Sequence, residues 1–564
     1  MIGLNKIWLN QVQLNRLYLN APFPVYRKMT GGGSSGDGFP VLPGDVTRWH
    51  FGGLTNEMMA AMDDPRIEDA DHKGRFLSFK NFAWGGMSGV GGYSDNFSSD
   101  SWKKPSDRSD ITWTSSSFNI TRVMNTGVQI YYFSAWEESE SVIPEKRIIV
   151  KGLEDGQVLR YMNVGNRIIE ISQDGIYTIP SFTFKGANSY HGYSLAKKQE
   201  SCNVTVEQLP LYPGALVFDG VDDYGTCDNF PILNKEKGYT VVALRSYLAE
   251  SIGYLVYNGT NAKQSAFAFE RSDSLDTWSW GKNSSIRNLL PKLMSYQTSN
   301  SYNNNIISTG TAIEGDKLIR IASVGGYSNV AIWELVFLDH DATEEELTKI
   351  KDYFVKTYPW LFPDQAWTVT GKTNEDEDRA TIANITGNGN DLVLSNFGFA
   401  EGSGYNEEGE YAGYLVTDGV DDKIVSSTFK LGKDFTVVGE WEFLQDINNN
   451  SGLRKTSSFI IRNNASGLSL FINRTSQATT VFNVKSLKAF CSNGLLVKND
   501  WTEQIDTVSQ ITTSSNSKLS IACRDDGVTE YDKFAFKNLA IYPMVLSKDD
   551  CIKAYNYLQT LKAK

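Results

Sequence analysis

Two acidic hexapeptides hold the most suggestive spacing in the chain. FDGVDD at 218–223 and TDGVDD at 417–422 each crowd three carboxylates into a few residues. Asp219, Asp222 and Asp223, and likewise Asp418, Asp421 and Asp422, are hard oxygen ligands of the kind calcium takes. The same spacing is also a turn: Asp-Gly suits positive φ, and carboxylates close in sequence accept backbone N–H groups. Calcium needs about six oxygens, more than the hexapeptide supplies, so the turn is the stronger reading. Calcium is the one cofactor candidate the sequence offers.

Two further stretches could hold a ligand. Trp278 and Trp280 in WSW stand at i and i+2, which puts both on one face of a strand, and sugar rings stack on such faces. Tyr302 lies in SYQTSNSYNN (295–304), a polar loop of the kind that contacts polar ligands. Each also reads as ordinary structure, the tryptophans as sandwich core and the loop as plain surface. Hydrolysis of a glycosidic bond needs two carboxylates flanking it at a set separation. No Glu-x-Asp-x-x-Glu pattern is present, and Glu440 and Glu442 in EWEF belong to a strand that buries Trp441 and Phe443. The four histidines, His50, His72, His191 and His340, have no metal-ligand spacing, and neither a Gly-x-Ser-x-Gly elbow nor a phosphate loop occurs. The expectation is a protein that is not an enzyme.

Internal repeats show which elements position these residues. LVFDGVDDYG (from Leu216) matches LVTDGVDDKI (from Leu415), followed by YTVVALR and FTVVGEW. Val330 to Phe354 matches Phe534 to Leu558, with Val330, Ile332, Leu335 and Phe337 at a constant offset of 204 from Phe534, Phe536, Leu539 and Ile541. Each match ends in a strand, then a capped helix: Thr343-x-x-Glu346 is a capping box and Ser547-x-x-Asp550 its shorter acidic variant. A third repeat pairs LSFKNFAWGGMSG (from Leu77) with LVLSNFGFAEGSG (from Leu392). Asn81 precedes Asp219 by 138 residues, whereas Asn396 precedes Asp418 by 22. The first unit therefore reads as split by an insert at 105–208, whose alternating strands and Asp-Gly turns describe a small β-sandwich. The alternative is a free-standing domain at those residues.

Composition bounds the class. With 564 residues, the chain exceeds one core at ~100–200 residues per domain. The 48 glycines and 27 tyrosines suit strands and tight turns. A net charge of −12 argues against nucleic acid. No apolar run approaches the ~18 residues of a membrane span, and no signal peptide is expected. Five scattered cysteines at no zinc spacing read as reduced, buried thiols from a reducing cytosol.

The first residues are periodic. Leu-Asn recurs every five residues from Leu4 to Asn20. Leu4, Ile7, Leu9, Leu14, Leu17 and Leu19 read as short strands that must dock on something, because a lone hairpin is marginal in water. The alternative is that they form the first hairpin of the next domain. MTGGGSSGDG (29–38) follows as a flexible hinge.

FDGVDD, TGNGNDLVLSNF (386–397) and the terminal strand with its short helix resemble the laminin-G-like, concanavalin-A-type jelly roll. The resemblance covers roughly 360 residues and implies a two-sheet antiparallel sandwich whose members often bind carbohydrate and sometimes calcium. The arm, together with CNVTVEQLPLYPGALVFDGVDDYGTCDNFPIL, is similar to structural proteins of phages infecting gut Bacteroidales.

The expected fold is all-β: two concanavalin-A-like jelly-roll sandwiches, one interrupted by an Ig-like β-sandwich, behind an N-terminal β-arm. The boundaries are 1–30 for the arm, 31–44 for the linker, 45–104 for the opening of the first jelly roll, 105–208 for the insert, 209–362 for the rest of the first jelly roll and 363–564 for the second. What the resemblance implies is a head or tail fibre or decoration protein of a virion, made in the bacterial cytoplasm. It would join other virion proteins through the arm and form a homo-oligomer, a trimer by likeness to phage fibres. Host surface glycan would be its ligand, with neither nucleic acid nor membrane insertion. The alternative is a carbohydrate-active enzyme or accessory module with laminin-G-like domains.

Overall fold

A computed structural model describes residues 38–563, except 104–110, 123–127, 135–140, 164–165, 185–188, 197–200, 260–264, 274–275, 281, 286–292, 311–315, 446–449, 456–457, 465–466, 473–477, 483–484, 507–514 and 525–530. The Leu-Asn arm and most of the glycine hinge therefore lie outside the described residues. The chain divides into two compact units at Phe354/Val355, with Gly175–Tyr177 counted in the second. The fold is all-β, built from antiparallel sheets with short helices.

In the first unit, one eight-stranded sheet centres on Asn329–Leu338, flanked by Thr240–Tyr247 and Leu216–Asp219. Nine of its ten residues are buried, as expected of a strand paired on both sides and covered on both faces. The second eight-stranded sheet runs in the order Arg66–Glu68, Phe76–Lys80, Tyr224–Cys227, Ile319–Ile321, Tyr254–Gly259, Ser265–Arg271, Asp276–Ser279, Lys282–Ser285. Alternation sorts its two faces: Phe267 and Phe269 enter the core with Trp49, Leu77, Val241, Ile321 and Phe337, while Ala268 between them packs outward with Tyr254 and Tyr257.

The second unit repeats the strand order of both eight-stranded sheets and adds a ribbon of Phe429–Leu431 with Ser515–Ser517. Trp367 pairs with Leu539 as Trp49 pairs with Leu335, and Thr436 with Tyr542 as Thr240 with Leu338. Both copies carry a bulge at the same place, Leu244/Arg245 and Glu440/Trp441. Each central strand leads to a capped helix. Thr343 and Glu346 bond reciprocally (Glu346 N–H to Thr343 Oγ1 3.3 Å, Thr343 N–H to Glu346 Oε2 2.8 Å) ahead of Glu344–Thr357, and Ser547 accepts the Asp550 N–H at 3.1 Å ahead of Lys548–Leu558.

The copies differ in one connection. Gly404–Tyr405 pairs directly with nearby Leu415–Val416. In the first unit the equivalent pairing, Val90 with Leu216, spans a sandwich of two five-stranded sheets and a two-stranded ribbon. That sandwich starts ahead of residue 105. Trp102 already pairs with Tyr132, and Phe97 packs on Trp102, Phe118 and Tyr193 in its core. All five cysteines are buried and free of disulfides. No helix among the described residues is long and apolar enough to cross a membrane.

Candidate functional site

The Asp-Gly-Val-Asp-Asp motifs and the Asn-Phe…Ser-Gly motifs, far apart in sequence in the first copy, meet in space in both. Asp223 Oδ2 accepts the Asp219 N–H (3.1 Å) and Oδ1 accepts the Ser88 hydroxyl (3.0 Å). Asp422 does the same with Asp418 N–H (2.8 Å) and Ser403 (3.1 Å). Asn81 and Asn396, at φ +69° and +70°, each donate to a motif carbonyl, of Asp222 and Asp421, at 3.0 Å. Asp219 Oδ1 accepts the Val221 N–H at 2.8 Å, and Asp418 Oδ1 the Val420 N–H at 2.7 Å. Gly220 is required on two counts, a φ of +76° and a Cβ that would stand 2.7 Å from Asn329 Cβ.

The six carboxylates form two clusters with ligand oxygens within 4.8 Å. Asp219 Oδ1, both Asp223 oxygens, Asp418 Oδ1 and both Asp422 oxygens already face N–H and O–H donors, which is the turn's own use of these carboxylates. They form a turn clamp that holds the opening strands of each jelly roll to the motif.

The clamp titrates. Burial pushes the Asp223 carboxyl up to about 7 and the Asp422 carboxyl up to about 6, with the bonds from Asp219, Ser88, Asp418 and Ser403 pulling the other way. Between about pH 4 and those values the folded state keeps a proton that the unfolded chain has released. Stability from these groups therefore falls as pH rises through that window. Asp223→Asn, which mimics the protonated form, is expected to gain stability relative to the parent between pH 4.5 and 7.5 in denaturant titrations. A difference that stays constant with pH contradicts this.

Trp280 and Tyr302 are not available to a ligand. The strand Asp276–Ser279 ends before Trp280, which turns inward at φ +48° and packs edge-on against Tyr239 at 5.4 Å, 2% exposed. Trp278 stays within the strand, paired with Ala268 and Asn283, whereas Trp280 lies beyond its end. Tyr302 is 1% exposed and donates to the buried Glu270 carboxylate at 2.7 Å. Alternation alone could not foresee a positive-φ residue directly after the strand, nor a buried acid as the partner of a loop phenol.

What the fold does present is a groove of about 500 Å³ on the outward face of the first unit's second sheet. Tyr224 and Thr226 come from one strand, Leu318 and Arg320 from the Ile319–Ile321 strand and its approach, and Val324 and Tyr327 from the loop after it. Thr226 stands opposite Arg320, and Arg320 opposite Tyr257. The Tyr224 and Tyr327 rings are 6.4 Å apart at 38°. The loop wall is pinned: Tyr254 N–H donates to Val324 O at 3.2 Å, Ser328 N–H to Ala322 O at 3.0 Å, and the Ser328 hydroxyl to Gly253 O at 2.8 Å. Val324 is held at φ +82°, a strained conformation for a β-branched residue, and packs on Tyr254 and Tyr257.

The second copy keeps the inward pair at the end of the Ile319–Ile321 strand and changes the outward residues beside it. Ile321 and Ala322 correspond to Ile521 and Ala522, buried in both. Tyr224, Thr226 and Arg320 correspond to Lys423, Val425 and Ser520. Of the groove's aromatic and charged residues, Tyr224 and Arg320 belong to the first copy alone, whereas Tyr327 has Tyr531 at the same offset of 204. That divergence within an otherwise matched motif, DDYGT against DDKIV, is the sequence signal that marks the groove.

No protein-family model and no curated protein matches the chain. Among solved structures it is similar to the binding domain of Paraclostridial Mosquitocidal Protein 1 (12% identity, 34% of this chain and 51% of that one, TM-score 0.20). It is also similar to Trypanosoma rangeli sialidase in complex with sialic acid (10%, 86% and 91%, TM-score 0.25) and to the binding domain of botulinum neurotoxin DC in complex with SialylT (9%, 56% and 87%, TM-score 0.22). At these values the likeness carries nothing about ligand or activity. The chain's own strand order and registers define its class: an all-β protein of jelly-roll sandwich type, with the sandwich duplicated in tandem and its first copy interrupted by a smaller one.

Proposed function

We propose that this protein is a structural component of a phage virion, a head or tail fibre or decoration protein, that engages host surface glycan through the groove of its first jelly roll. The groove is the observation that carries the reading. Two tyrosine rings, the hydroxyls of Thr226 and Ser323 and a guanidinium line a depression on a hydrogen-bonded sheet, and aromatic faces with a few fixed polar groups suit sugar rings. Among the described residues the lining offers no carboxylate, which supports holding a glycan rather than cleaving one. On this reading residues 1–30 dock the protein onto other virion proteins or its sister subunits. A homotrimer made in the host cytoplasm would then present several weak groove sites at once, and avidity would make adhesion firm.

The test is binding of the full chain to an array of bacterial surface polysaccharides. Tyr224→Ala with Tyr327→Ala is expected to weaken the response at least about tenfold, from the loss of ring stacking at two positions. Lys423→Ala, at the matching position of the second copy, is expected to change nothing. Equal binding by all three proteins, or an array that stays silent, overturns the reading.

A further inference from the structure

We infer that the groove selects a sugar unit bearing a carboxylate, with Arg320 as its partner; this rests on the glycan reading above. The argument begins with how the first jelly roll treats its other arginines. Arg48 faces Glu334 (3.4 Å), Arg66 faces Asp64 (3.7 Å), Arg75 faces Asp45, Arg245 faces Glu270 (2.7 Å) and Arg271 faces Asp273 (2.7 Å). In a chain of net charge −12, acids are plentiful, and these arginines find one. Arg320 has none within ion-pair distance among the described residues, although it is half-buried in a groove.

Its surroundings match an incoming anion. Among the described residues it is the one charged residue of the lining, and no carboxylate stands beside it there. Thr226 beside it adds a hydroxyl, and Tyr224 and Tyr327 add ring faces for the pyranose body. A guanidinium presents two parallel N–H groups that fit a planar carboxylate bidentately, which a compact ammonium cannot do. The second copy replaces Arg320 by Ser520 and sets Arg454 across from it on the neighbouring strand, 5% exposed. A guanidinium at this strand position, half-buried between Thr226 and Tyr257, is thus a property of the first copy.

The experiment titrates the full chain with three probes: a uronic-acid oligosaccharide, its methyl ester and a neutral oligosaccharide of equal length. A sulfated oligosaccharide separates carboxylate recognition from general attraction of anions. The acid is expected to bind about 10–100-fold more tightly than the ester, the worth of a charge-assisted pair. Arg320→Gln should erase that preference, and Arg320→Lys should recover only part of it. Tight binding of the sulfated probe with no preference for the carboxylate overturns the carboxylate assignment. Equal binding of acid, ester and neutral probes that is lost in Tyr224→Ala overturns the selectivity and leaves the glycan groove standing. No binding of any probe overturns both.

Discussion

Replacing Glu270 with alanine destabilises the first unit by about 3–5 kcal/mol, because it strands a charge in the core. Glu270 is fully buried and Arg245 is 1% exposed. Arg245 donates Nε–H to Glu270 Oε2 at 2.8 Å and an Nη2 hydrogen to Oε1 at 2.7 Å, while Tyr302 and Tyr247 donate at 2.7 and 3.1 Å. Burial pushes the Glu270 carboxyl up, but the Arg245 charge and these hydrogen bonds outweigh it and hold the carboxyl below the usual range. Removing the acid leaves a guanidinium and two phenols without their acceptor. Building the pair at all is optional for the fold. The second copy has Trp441, Phe443 and Leu496 where the first has Arg245, Tyr247 and Tyr302. Arg245→Met combined with Glu270→Leu is therefore expected to cost less than Glu270→Ala alone. Equilibrium unfolding of the parent and the two variants checks this, and a loss in the double variant equal to or larger than that of Glu270→Ala contradicts it.

Trp441→Ala is expected to cost the second unit a similar amount, about 3–5 kcal/mol, by another mechanism. Trp441 is 3% exposed, stacks on Phe534 at 5.7 Å and 13°, and meets Phe443 edge-on at 6.1 Å. Truncation leaves a cavity bounded by strands that hydrogen bonds hold in place, so collapse is limited. Hydrogen exchange reads the loss by location. Protection should fall in Phe534–Tyr542 and stay unchanged in Asn329–Leu338 of the first unit. An equal fall in both strands, or none in either, contradicts the prediction.

These two cores show what the sequence makes legible. The duplication, the capped helices and the inward alternation of FAFE and EWEF are local patterns, and the strand registers follow them. The Asn-Phe…Ser-Gly and Asp-Gly-Val-Asp-Asp motifs are visible as repeats, but their meeting is not, because in the first copy the chain runs through a whole sandwich between Ser88 and Asp223. Arg245 and Glu270 sit in strands whose alternation would send charged residues outward; a bulge at Leu244/Arg245 and a φ of +53° at Glu270 break that alternation, and the pairing of the two satisfies the buried charges. The groove is the least legible part. Tyr224, Arg320 and Tyr327 come from separated segments; contrast with Lys423 and Ser520 distinguishes the first two, while Tyr327 has Tyr531 at its matching position. The tryptophan pair at 278 and 280 looks more like a sugar platform by spacing, yet a positive φ takes Trp280 into the core.

The claim that glycan is held on the first jelly roll's outward sheet is tested most directly by hydrogen exchange of the full chain, with and without a polysaccharide it binds. Slower exchange is predicted in 224–227 and 318–328, and no change in the matching 423–426 and 519–524 of the second copy. Protection that appears in the second copy instead, or outside both segments of the first, contradicts the account.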